Sequence, residues 1–174
     1  MRRIVLLFCG ITTFFVSMVS EAKAQATVTA TATAEVIEAL TGRETAQLNF
    51  GRFSPESQGG TVIMSPDGVR SAQGTVILAG GTHNAASFYI TGQYEASFSI
   101  TLPLGPQTLT NLSNSEKTIQ VGQWESFPVQ GIGVGILTKG EMTVLIGASL
   151  TVGDMNANPV GIYAGTYSVT FAYN

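Results

Sequence analysis

The stretch Gly161–Asn174, GIYAGTYSVTFAYN, decides the fold. Every second residue gives Gly161, Tyr163, Gly165, Tyr167, Val169, Phe171 and Tyr173; between them stand Ile162, Ala164, Thr166, Ser168, Thr170 and Ala172. A period of two places these sets on opposite faces of a β-strand. The first face is aromatic and apolar apart from its two glycines. The second is mostly small or hydroxylated. Such a strand is built to be buried on one side, and it closes the chain.

The same period recurs at the other end. In Gln25–Leu40, QATVTATATAEVIEAL, Val28, Ala30, Ala32, Ala34 and Val36 alternate with Thr27, Thr29, Thr31, Thr33 and Glu35. Alanine alone would suit a helix, but threonine at every second place is stiff at χ1 and suits a pleated sheet. The apolar face carries small side chains that fit a narrow groove between two sheets.

Further strands are expected between these ends. Leu48-Asn49-Phe50-Gly51-Arg52-Phe53 reads as a short strand with Leu48, Phe50 and Arg52 on one face and a bulge at Gly51. Residues 55–60 read as a loop. Thr61–Ser65 and Ser71–Ala79 read as a hairpin turning at Pro66-Asp67-Gly68. Gly92-Gln93 predicts a type II′ hairpin between Ala86–Thr91 and Tyr94–Leu102. Lys117–Phe127, the run Gly131–Ile136 and Met142–Val152 complete about nine strands, with the Leu109–Asn111 region ambiguous. Turn signals recur at sandwich spacing. The expected fold is an all-β, immunoglobulin-like antiparallel sandwich of about seven to nine strands.

The composition agrees. Only 11% of the 174 residues are charged, 44% are hydrophobic and 20 are glycine. No basic patch suggests nucleic acid. Arg2 and Arg3, the apolar run Ile4–Val19 and Ala22-Lys23-Ala24 have the form of an export signal cleaved after Ala24. That divides the chain into a signal, 1–24, and one domain, 25–174, whose residues 25–40 form a first or donor strand. Cleavage removes Cys9, the only cysteine, so the mature chain uses no disulfide. It retains 5 basic and 10 acidic residues, a net charge of −5.

Nothing in the sequence asks for an enzyme, a metal or a cofactor. His83 is the single histidine and sits in a glycine-rich loop. Asp154-Met155-Asn156-Ala157-Asn158 starts like a calcium loop, but Pro159 and Gly165 occupy the places that need glycine and a carboxylate; an Asx turn is the better reading. Gly131, Gly133 and Gly135 lack dinucleotide-binding spacing. Asn111-Leu112-Ser113 is a sequon, meaningful only in a eukaryotic secretory host. Trp124 and the tyrosines suit a sugar platform or ordinary packing.

The penultimate Tyr173, with Gly161 fourteenth from the end, resembles the C-terminal signature of pilins assembled by the chaperone–usher pathway. Leu48–Phe53 is similar to the Leu-x-Phe-Gly-x-Tyr stretch of spore-coat-U-like subunits, the archaic branch of that pathway. The mature chain also resembles a bacterial family of secreted, cysteine-free β-proteins known only as domain of unknown function 4402, through Ala30–Ile37, Leu48–Gly51, Gly60–Pro66, Gly147–Val152 and Gly161–Asn174. The pilin resemblance implies a subunit assembled by strand complementation. Val28, Ala30, Ala32, Ala34 and Val36 would be the donor side chains, and Gly161, Tyr163, Tyr167, Val169, Phe171 and Tyr173 would line the groove. The implied partners are identical or related subunits, a periplasmic chaperone and an outer-membrane usher; the implied location is the periplasm in transit, then the cell surface. Spore-coat-U-like subunits generally carry an early disulfide, which this chain cannot form. A standalone secreted sandwich predicts the same alternation and stays open, as does a small outer-membrane β-barrel.

Overall fold

A computed structural model describes residues 25–174; the signal reading of 1–24 lies outside them. Gln25–Glu35 carry no helix or strand, and Val28 is exposed. The first strand starts at Thr41, so the strand expected across Val28–Val36 is not formed.

Val36–Asn174 form one compact unit. It holds eleven strands: β1 (Thr41–Ala46), β2 (Phe53–Met64), β3 (Arg70–Leu78), β4 (Ala86–Thr91), β5 (Ser97–Thr101), β6 (Gln107–Asn111), β7 (Asn114–Phe127), β8 (Gly131–Ile136), β9 (Glu141–Val152), β10 (Tyr163–Ala164) and β11 (Thr170–Tyr173). One 3-10 turn, Thr138–Gly140, joins β8 to β9. The larger sheet runs β1-β4-β9-β7-β6-β10, with β2 pairing β9 and β3; the smaller runs β11-β5-β8. Every pairing is antiparallel. The result is an open sandwich rather than a closed cylinder, which argues against the barrel reading.

Strand β9 is the spine. Its residues 141–146 pair with β4 and 148–152 with β2 along one edge, while β7 takes the other. A strand covered on both edges needs a nearly continuous apolar run, and MTVLIGASLTV supplies it. The β2–β3 hairpin turns where expected. The Ser65 hydroxyl donates to Asp67, and Gly68 N–H donates to Ser65 O at 2.9 Å.

Three expectations fail for stated reasons. Residues 55–60 are not a loop but lie within β2, with a bulge between Pro55 and Gly60; Thr75 Oγ1 fastens it, accepting Gln58 N–H and donating to Gly59 O. The strands flanking Gly92-Gln93 do not form a hairpin, because β4 and β5 belong to different sheets. Gly92 lacks a positive φ; a side chain there would collide with the Tyr173 hydroxyl, which accepts Gln93 N–H at 2.7 Å and donates to Glu38 O at 2.9 Å. The closing strand is also not single. Its start joins β6 as β10 and its end joins β5 as β11. This split, with β1 and β6 added and no strand over residues 25–40, brings the count to eleven.

The core has two parts. One, around Ile90, Phe98, Ile100, Leu137 and Ile146, lies under β5 and β11. The other, around Phe50, Val62, Met64, Ile119, Val121 and Leu150, lies mainly under the hairpin and the chain near Phe50. Leu48 and Trp124 touch both.

Candidate functional site

Over the second core the sandwich is open. A cleft of about 760 Å³ runs between Leu48–Pro55 on one side and the chain from Asn158 to Tyr167 on the other. Its floor includes Leu109, Ile119, Val121, Leu150 and Trp124.

Each wall is paired in part, Phe53–Pro55 with β3 and Tyr163–Ala164 with β6, and short of main-chain partners elsewhere. On the first, Asn49 makes a single bridge to Asn84, with N–H···O distances of 2.9 and 3.0 Å. Of the expected strand Leu48–Phe53, residues 48–52 keep this bridge and the Ala79 N–H bond to Arg52 O, while Phe53 opens β2 and pairs with Leu78. Its facing also differs from expectation: Phe50 is buried, but Arg52 is exposed and Phe53 turns inward. The cause is Gly51, whose φ of +70° shifts the alternation by one place. Arg70 stands in for the missing ladder, donating to Phe50 O at 2.8 Å, Arg52 O at 3.2 Å and Ala79 O at 2.7 Å.

On the second wall, the main chain of Gly165–Val169 makes no hydrogen bond to a described residue. Gly165 lies against the Thr108 main chain, where a side chain would not fit, and Gly161 likewise lies against the Asn111 amide. Tyr163, Tyr167, Val169, Phe171 and Tyr173 are all half-buried, with Ala164, Thr166, Ser168, Thr170 and Ala172 exposed between them. Tyr163 packs on the core beneath the cleft; Tyr167, Val169, Phe171 and Tyr173 pack on the other. Phe171 meets Phe98 edge-on at 6.1 Å. Gly161 is exposed at the cleft's far end. Of the six residues expected to line a groove, Gly161, Tyr163 and Tyr167 do so; Val169 lies just past the lining, and Phe171 and Tyr173 stand in β11, paired with β5.

Trp124 and Tyr167 meet where the two parts of the core join. Their rings stack at 4.7 Å, and the indole N–H reaches Gly105 O at 3.3 Å. A bulge in β7, with Gln123 at φ 49°, sets Trp124 there. The Tyr167 hydroxyl is shielded from solvent and has no described hydrogen-bond partner. Burial, with the nearby Glu44 charge second, pushes its phenol well above the ordinary tyrosine range.

The cleft lining holds no carboxylate and no histidine. Arg52 is the one charged residue in its lining. His83 lies outside it, exposed, with Nδ1 3.3 Å from Gly81 O. Among the described residues no group of His, Cys, Asp and Glu could hold a metal ion. Asp154 instead caps its own turn, accepting the N–H groups of Asn156 at 3.0 Å and Ala157 at 2.7 Å.

Fold and cleft together define a class: an antiparallel β-sandwich opened between two under-paired runs of main chain. More particularly, the chain belongs to the family defined by the domain of unknown function DUF4402, whose model matches residues 40–173. No curated protein and no solved structure matches it.

Proposed function

We propose that this is an exported, non-enzymatic subunit of a surface fibre, built by laying the segment Val28–Val36 of one copy into the cleft of the next. The observation that carries this reading is the run Gly165–Val169, main chain without partners beside an apolar floor. Unpaired edges over apolar side chains invite a strand from another chain. Size fits as well. Nine residues at about 3.3 Å each span about 30 Å, and the cleft is lined along one wall by the chain from Asn158 to Tyr167. Val28, Ala30, Ala32, Ala34 and Val36 offer a thin apolar edge to Leu109, Ile119, Val121 and Leu150. Head-to-tail use of one cleft and one segment gives an open fibre. A periplasmic chaperone guarding the cleft and an outer-membrane usher fit this reading, as does the resemblance to spore-coat-U-like subunits.

The test is assembly of the purified mature chain, followed by size-exclusion chromatography and electron microscopy. Fibres are expected from the full chain and none after deletion of residues 25–36. A peptide of that sequence should raise the melting temperature of the deleted chain. A full mature chain that stays a stable monomer at high concentration would instead be a standalone secreted sandwich.

A further inference from the structure

The strand-exchange reading, on which this inference rests, leaves a physical problem. Thr27–Ala34 reads TVTATATA, and a shift of two residues keeps the same face inward with nearly the same side chains. Repetitive strands specify register weakly. One feature breaks the degeneracy: between Gln25 and Ile37 the sequence carries a single charge, Glu35. The cleft lining also carries a single charge, Arg52.

The two charges fall on the same face. Glu35 alternates with the apolar set, so it points outward when Val28–Val36 face the floor. Along the cleft wall Phe50 and Phe53 turn inward and Arg52 is exposed. The backbone of Arg52 is fixed, its carbonyl accepting Ala79 N–H at 2.9 Å and the Arg70 guanidinium at 3.2 Å. Its own guanidinium donates to no described residue, and its stem passes over Gly81, close to where a side chain there would begin. Opposite side chains on adjacent strands stand about 5 Å apart, and diagonal ones about 7–8 Å. A two-residue slip turns a directly opposed pair into a weaker diagonal one, a four-residue slip takes the charges out of reach, and a one-residue slip buries Glu35 over the apolar floor. We propose that Glu35 of one copy pairs with Arg52 of the next and sets the register of the inserted segment.

The test uses the full mature chain with Arg52→Glu, Glu35→Arg, and both. Each single change sets like charges face to face and should slow self-assembly, read by light scattering at low salt, by about three- to tenfold. The double change should restore the rate to within about twofold. An equimolar mixture of the two single variants should assemble at close to the wild-type rate into oligomers that alternate the two variants in native mass spectrometry, because both contacts between unlike copies are complementary and both contacts between like copies are repulsive. Glu35 lies outside the compact unit, so Glu35→Arg reads the contact without touching the sandwich core. Single variants that assemble at the wild-type rate, or a double variant as slow as the singles, would overturn the pairing while leaving strand exchange in place. A wild-type chain that never assembles overturns both.

Discussion

Replacing Arg70 with alanine removes the group that holds the first cleft wall. Its Nη1 reaches Phe50 O in a part-buried contact at 2.8 Å, and its bonds to Arg52 O and Ala79 O are exposed. A part-buried hydrogen bond to a charged donor contributes about 1.5–3 kcal/mol net, whereas water replaces most of an exposed one. Allowing about 0.5 kcal/mol for each exposed bond, the loss comes to about 2.5–4 kcal/mol. With a urea slope of about 2 kcal/mol/M, the unfolding midpoint should fall by about 1–2 M. Arg70→Lys keeps the charge, but one ammonium lacks the planar fork that serves Phe50 and Ala79 together; it should lose about half as much. The amide of Asn49, bonded to Asn84 O across the same wall, should exchange faster in both variants. If both variants unfold within about 0.5 kcal/mol of wild type, the wall does not depend on this clamp.

Three more outcomes follow from the geometry. Gly135→Val drives a side chain into the ring of the fully buried Phe98, and the overpacking should cost about 1–3 kcal/mol in thermal or urea unfolding; an unchanged midpoint would show that the ring moves freely. The Tyr167 phenol is raised by burial, so the stability it contributes is complete below the ordinary tyrosine pKa of about 10 and is lost as pH rises through it and beyond. Denaturation midpoints from pH 8 to 11 should therefore fall more steeply in the wild type than in Tyr167→Phe; parallel curves refute this. Trp124 is the only tryptophan and lines the cleft. Adding a peptide of residues 25–36 to a chain lacking them should shift its emission to the blue, and peptide that binds by calorimetry without moving the emission lies elsewhere.

What the sequence displays well is what depends on neighbours along the chain. The alternation from Tyr163 to Tyr173 appears as half-buried and exposed residues in turn, broken only at the exposed Gly165. The Ser65–Gly68 turn and the doubly covered β9 follow from local signals in the same way. What it hides depends on residues far apart. Gly92 looks like a turn glycine, yet its missing side chain makes room for a hydroxyl 81 positions later. Gly51 looks like a bulge within a strand, yet its positive φ turns Arg52 out and Phe53 in. The bulge between Gly122 and Glu125, whose positive φ falls on Gln123 rather than on the glycine, is what carries Trp124 to the cleft.

The cleft is the extreme case, since Leu48–Pro55, Leu109, Ile119–Trp124, Leu150 and Asn158–Tyr167 meet only once both sheets exist. No window of sequence contains it. Its consequence can still be read from the two core clusters. The one beneath β5 and β11 is roofed by a paired strand, while the other meets an open cleft beside main chain that is unpaired over Gly165–Val169. Apolar area removed from water contributes about 25 cal/mol per Å², and unpaired main chain gains its hydrogen bonds only from another strand. Both terms favour the same occupant, an extended segment with small apolar side chains on one face. The chain carries one such segment, at Val28–Val36.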